Sequence, residues 1–353
     1  MKIKQLTFTR FLAAISIVIF HYGGKSFPFN NDTIAFMFKG ANVCVSYFFM
    51  LSGFVMMIAY GNRARVYGIY YLRDRFARIY PLFFLGILMV FFQQLRTKNV
   101  DIIGMFLNVF MVQAWIPAKA LSFNTPGWSL SVELMFYLVY PFLFNKIFRR
   151  ISFKNIYISI VLFWILSQVI FHVLSDIYRG NHFAEDFLSY NPLMHLNEFL
   201  IGNLAGFFFI EKMNHQKRNY DFLILVLVGF IILALKFPLG LKFHNGLLAI
   251  FFIPLILLIS LNDGFITKMF EKSPLIFLGE ISFGIYILQH PIYSLISAYS
   301  VNKYFHLSDP TIVFFLRLII LIIVSSITYI YIEKPIQKKI KTKNKASFLE
   351  NPA

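Results

Sequence analysis

An arginine and a histidine stand eleven residues apart in TRFLAAISIVIFH, at Arg10 and His21, within an otherwise apolar run. Eleven residues is close to three turns of helix, so both side chains point the same way, about 16 Å apart along the axis. An ionisable group in such a run costs about 2.5–3.5 kcal/mol on insertion scales and needs a partner or a function. Imidazole can act as a general base, and a nearby carboxylate would orient it and stabilise its protonated form. Two carboxylates lie in comparable surroundings, Glu133 in GWSLSVELMFYLVYP and Glu198 in LMHLNEFLIGN, the latter beside His195 and Asn197. Arg75 and Arg78 in RDRFARIYP are three apart, hence neighbours on a helical face, and their guanidinium forks suit phosphates. His290 in ILQHPIYSL is a further imidazole in an apolar run. Each has a plainer reading. Arg10 can snorkel to headgroups, His21 can mark a membrane boundary and the arginine pair can hold a loop in the cytoplasm. The carboxylates can glue helices together, and His290 with Pro291 can distort one.

The elements that must position these residues follow from composition. The chain has 353 residues, 58% hydrophobic and only 14% charged, with a mean hydropathy of +0.68. A soluble domain carries about 25% charged residues, so this chain cannot cover a water-exposed globule, and its solvent is lipid. The net charge of +17 sits in short clusters between apolar runs. That placement fits cytoplasmic loops and offers no basic face for nucleic acid. A single cysteine, Cys44, excludes an internal disulfide and a cysteine-based metal site, and no metal is expected. Arg10 interrupts the first apolar run and no small-residue cleavage site follows, so that run reads as an uncleaved span.

Apolar runs long enough to cross a bilayer fall at roughly 6–23, 41–60, 77–95, 128–147, 155–175, 193–211, 221–236, 243–262, 277–299 and 311–333. The shorter candidate 101–115 decides the topology. If it does not cross and the N-terminus is inside, 22 of the 33 basic residues are cytoplasmic and nine are outside; if it crosses, the split is 12 against 19. Basic residues are retained on the cytoplasmic side. The expectation is therefore an all-α, polytopic membrane helix bundle of about ten spans with both termini cytoplasmic. Residues 101–115 form a re-entrant or interfacial segment bordering the site. One membrane domain covers 1–335, and 336–353 is a short basic cytoplasmic tail. This topology brings Glu133 and Glu198 to the depth of His21 in the outer third of the membrane, with His290 nearer the middle. Tyr80–Pro81 is expected to open the third span, and the polar, aromatic outer stretch 176–191 is a candidate for acceptor contact.

Taken together, these segments resemble acyltransferase family 3, integral membrane proteins that acylate bacterial surface polysaccharides and related glycans. TRFLAAISIVIFH resembles the family's arginine–ten residues–histidine signature on Arg10 and His21. SYFFMLSGFVM resembles its FF-x-x-SGF segment on Phe48, Phe49, Ser52, Gly53 and Phe54. RFARIYP resembles R-x-x-R-I-x-P on Arg75, Arg78 and Pro81. GWSLSVELMFYLVYP resembles the W-S/T-L-x-V-E segment on Trp128, Leu130, Val132 and Glu133, and LGEISFGIYILQHPI with the final IEKP completes the pattern. The pieces run from residue 7 to 335, and six in order are highly specific. Some members carry a C-terminal hydrolase-like domain that this chain lacks, so a mechanism needing it in the same chain is not expected.

The resemblance implies transfer of an acetyl or other short acyl group from cytoplasmic acetyl-CoA, or another acyl-CoA, in the bacterial inner membrane. The acceptor would be a saccharide hydroxyl, lipid-linked or polymeric, such as an exopolysaccharide or O-antigen. No tightly bound cofactor is implied. His21 would be essential, as general base for the hydroxyl or as acyl carrier, with Glu133 beside it in the chemistry. Arg75 and Arg78 would take the donor's phosphates, and Arg10 would steer its pantetheine arm. Trp128, Glu198 and His290 are the acceptor-binding candidates. The alternative from another class is a transporter or flippase for a glycan or lipid-linked saccharide, which polar residues in a central cavity would also suit.

Overall fold

A computed structural model describes residues 3–213 and 217–340. The helices follow the apolar runs. They are Gln5–Tyr22 (α1), Val43–Tyr60 (α2), Gly68–Thr97 (α3), Trp128–Phe142 (α4), Phe153–Ile177 (α5), Leu196–Phe208 (α6), Asp221–Lys236 (α7), Ala249–Leu261 (α8), Ser273–Leu295 (α9) and Pro310–Thr328 (α10). Among the described residues no strand forms beyond one isolated bridge between Arg218 and Asn262. The chain is a polytopic membrane helix bundle, and among the described residues eight helices are long and apolar enough to cross a membrane.

Two expected spans are shorter than their apolar runs. α7 has 16 residues and α8 has 13, so they extend about 24 and 20 Å against a hydrocarbon core of about 30 Å. Residues 243–248 were counted in the eighth run but form a turn ahead of α8. Pro81 does not open α3 either. That helix begins at Gly68 and runs for 30 residues with Pro81 in its interior, so it is about 45 Å long and carries Arg73, Arg75 and Arg78 as regular helix. The segment 101–115 holds only an eight-residue helix, Ile102–Val109, and a single turn at Gln113–Trp115. About 12 Å of helix cannot cross. At the C-terminal end the last helix continues unbroken to Ile340, so the first residues of the expected tail are helical. Lys2 and residues 341–353, which include Lys341, Lys343 and Lys345, lie outside the described residues.

The chain divides into two compact units, Met1–Ala64 with Ile151–Ser282 and Arg65–Arg150 with Phe283–Ala353. In the first unit α2 and α6 pack most closely, and glycines make this possible. A Cβ on Gly202 would strike the carbonyl of Met50, one on Gly53 would strike Phe199 O, and one on Gly206 would come within 2.8 Å of Phe54 O. Gly202 and Gly206 are four apart, the small-xxx-small spacing that lets membrane helices bring their backbones together. α1 is held by Gln5 Nε2 donating to Ser260 O (3.1 Å) and by a 2.6 Å hydrogen bond between Thr9 Oγ1 and Tyr47 OH. In the second unit, Asn145 of the turn after α4 both accepts from Val66 N (2.9 Å) and donates to Val66 O (2.8 Å). The guanidinium of Arg317 on α10 donates to Tyr293 O and lies 4.0 Å from that residue's ring centroid, which gives this intramembrane cation its partner.

A buried polar network ties the loop before α8 to α5, α6 and α2. Gln168 donates to Asn245 O (2.8 Å), Trp164 Nε1 to Gly246 O (3.0 Å) and Ser46 to His244 O (3.0 Å), while Asn197 and Asn245 both donate to Met194 O. His244 Nε2 faces Ser189 O at 2.8 Å, and its Nδ1 faces Asn42 Nδ2 at 3.3 Å. That pairing describes a neutral imidazole. Burial, with the His195 ring beside it, pushes the His244 pKa down to about 4. A histidine kept neutral in the folded protein but free to protonate when unfolded weakens the fold as pH drops from about 6.5 towards 4. The melting temperature in detergent should therefore fall between pH 7 and pH 5, and His244→Gln should flatten part of that dependence. An identical pH dependence in the variant would exclude His244 as its source.

Candidate active site

The residues singled out from the sequence divide between the two units. In the first unit α1 is one uninterrupted helix, so Arg10 and His21 do share a face. His21 lies in its last turn, exposed, with its ring 4.9 Å from Phe20 and 5.9 Å from Tyr22. Arg10 is half-buried and within electrostatic reach of the Tyr47 hydroxyl on α2. Glu198 is fully buried in the first turn of α6, and its Oε2 is 2.8 Å from His195 Nδ1. The other nitrogen of His195 faces Ser189 O at 2.9 Å. The His195 ring is held between the Glu198 carboxyl on one side and the Ser189 carbonyl on the other. Glu198 thus belongs to the network that anchors the loop before α8, and His195 is the imidazole it engages. Ser189 lies in a short helix, His182–Tyr190, within the stretch 176–191 that the sequence offered as a candidate for acceptor contact.

The second unit assembles the arginine pair and Glu133. Arg75 and Arg78 occupy successive turns of α3. The Arg75 guanidinium lies 5.5 Å from the ring centroid of Tyr71 and 6.0 Å from that of Tyr137. Tyr137 stands one turn beyond Glu133 on α4, shares a side-chain hydrogen bond with that carboxylate, and is within electrostatic reach of both arginines. Glu333 is 3% exposed and within electrostatic reach of Arg78.

The turn that leads into α4 is fixed on every side. Its residue Gly127 has Phe83, Asn108 and Gln113 so close that a Cβ would lie 3.0–3.2 Å from them. Gln113 Nε2 donates to Gly127 O (2.7 Å) and Asn108 Nδ2 to Ser122 O (3.0 Å), which ties the 101–115 segment to the start of α4. From α9, Tyr286 OH bonds Ser129 Oγ (2.8 Å) and Pro126 O (3.2 Å), and Tyr286 also feels the charge of Glu133. Trp128 is buried at the first position of α4. His290 is half-buried, with its Nδ1 3.5 Å from Thr125 Oγ1. His290 thus meets the turn at Thr125, Trp128 follows it directly, and Glu133 lies five residues further along α4. Among the described residues no cluster of three His, Cys, Asp or Glu side chains suited to a metal ion occurs.

Sequence reasoning missed Tyr137, Tyr286, Glu333 and His244. The spacing of Tyr137 one helical turn after Glu133 was a usable signal, and the Asn245–Gly246 pair marked a turn inside a supposed span. The other pairings are long-range and leave no local trace.

Comparison with known proteins places this arrangement. The chain is 30% identical over 167 residues to the acyltransferase MdmB of Streptomyces mycarofaciens, a match covering 44% of this chain and 42% of MdmB. It is 23% identical over 361 residues to the O-acetyltransferase OatA of Staphylococcus aureus, covering 94% of this chain and 56% of OatA. The chain thus spans about half the length of these curated relatives. No solved structure matches it. A family model described as an acyltransferase domain matches residues 3–330, and with that match over nearly its whole length the chain belongs to acyltransferase family 3.

Proposed function

We propose that this protein moves an acetyl or other short acyl group from an acyl-CoA donor to a hydroxyl of a cell-surface or lipid-linked saccharide, in the bacterial cytoplasmic membrane. The observation that carries the reading is the joining of Arg75 and Arg78 to Glu133 through Tyr137 inside one unit of a family 3 chain. Coenzyme A is polyanionic, and a pair of guanidinium groups offers its phosphates bidentate, charge-assisted hydrogen bonds. The relatives named as O-acetyltransferases support a hydroxyl acceptor.

In this reading His21 takes the proton of the acceptor hydroxyl as its oxygen attacks the thioester carbonyl. A C–O bond forms, the C–S bond breaks, and the proton on His21 passes to the departing thiolate. The two-step variant puts the acyl group on His21 first and the hydroxyl then removes it. Either way the carbonyl end of α1, where a cation is favoured, suits a residue that becomes transiently positive. Glu133 handles protons at the reacting centre. Arg10 guides the pantetheine arm, Trp128 and His290 contact the acceptor, and Glu198 contributes by holding His195 and the wall around it.

His21 lies exposed in a terminal turn, so His21→Ala should fold and lose about 10²–10⁴-fold of the acyl-transfer rate. Full transfer by that variant in purified protein would sink the assignment. Arg75→Ala and Arg78→Ala should raise KM for acetyl-CoA while leaving KM for the phosphate-free donor S-acetyl-N-acetylcysteamine unchanged. Equal effects on both donors would mean that the arginines do not read phosphate.

A further inference from the structure

We infer that Tyr137 is a positioning residue that fixes the Glu133 carboxylate relative to the Arg75–Arg78 pair. The inference rests on the reading that Glu133 takes part in acyl transfer and that the two arginines hold the donor. Tyr137 is 3% exposed and its ring is confined by aromatic neighbours. Tyr71 meets it edge-on at 6.4 Å with an interplanar angle of 90°, and Tyr71 is itself stacked on Tyr140 at 5.5 Å. A phenylalanine would satisfy that packing equally well. What the phenol adds is one hydroxyl, and a hydroxyl buried without a partner would be a liability. Its partner is Glu133, four residues earlier on the same helix, where i,i+4 side chains meet.

The groups that face this carboxylate come from several elements. Tyr137 lies on its own helix and Tyr286 approaches from α9. Arg75 and Arg78 of α3 are within electrostatic reach of Tyr137, and Glu333, in the helical continuation of α10, is within reach of Arg78. Tyr286 already bonds Ser129 Oγ and Pro126 O, so Tyr137 is the phenol that bonds Glu133. In a low-dielectric interior a hydrogen bond to a carboxylate restricts both its rotamer and its readiness to take a proton. The same ring has the Arg75 guanidinium 6.0 Å from its centroid, so one side chain engages both the carboxylate and the arginine assigned to the donor.

The test is Tyr137→Phe, assayed in detergent with acetyl-CoA and a saccharide acceptor. Expected are a parental melting temperature, an acetyl-CoA KM within about twofold of the parent and a kcat lower by about tenfold. A parental kcat would overturn the proposal, as would a lower kcat accompanied by a lower melting temperature, which is the mark of a merely structural role. Glu133→Gln is run in parallel. If it keeps full transfer, the underlying reading of Glu133 falls as well. If it is inactive while Tyr137→Phe behaves as the parent, only the inference about Tyr137 falls.

Discussion

Charge buried among apolar helices must find a partner, because an uncompensated ion in such surroundings costs several kcal/mol. That constraint organises both units. Glu198 is tied to His195, Glu133 to Tyr137, and Arg317 to the carbonyl and ring of Tyr293. The last of these links two helices that hydrophobic packing alone would leave free to slide, since lipid tails are as apolar as the helices themselves.

The two units meet the constraint with different consequences. In the first, glycines bring α2 and α6 into backbone contact, and the His195–Glu198 pair lies within a network that fastens the loop before α8. The carboxylate there is engaged by His195. In the second, the pairing is looser in kind: cations stand over aromatic faces and the carboxylate meets a phenol, while Glu133 itself is only half-buried.

Much of the fold was legible because helix length and lipid thickness impose the same scale on the sequence. All ten apolar runs contain helices, and Arg10 and His21 share one, as their spacing requires. Boundaries were harder. α3 starts at Gly68 because the charged stretch Arg73–Asp74–Arg75 is helical without being apolar, and hydropathy is blind to that. The eighth run hid a turn because Leu248 and its neighbours continue the apolar stretch past His244–Asn245–Gly246. Within the site, Arg75, Arg78 and Glu133 could be picked out as charges in unusual places. Tyr137 could not, since a tyrosine in a chain with 19 of them reads as membrane-compatible bulk until its neighbour four residues away is considered. The partner of Glu198 was beside it in the sequence, but the choice of His195 over other imidazoles depends on the tertiary fold.

The central claim is that the chain itself performs acyl transfer. The most direct measurement uses purified protein in lipid vesicles, with a saccharide acceptor enclosed and acetyl-labelled coenzyme A supplied outside. The account predicts label in covalent, ester-linked form on the enclosed saccharide. Saccharide that crosses the bilayer without acquiring label, in vesicles where no acyl group is transferred, would contradict it and favour a transporter.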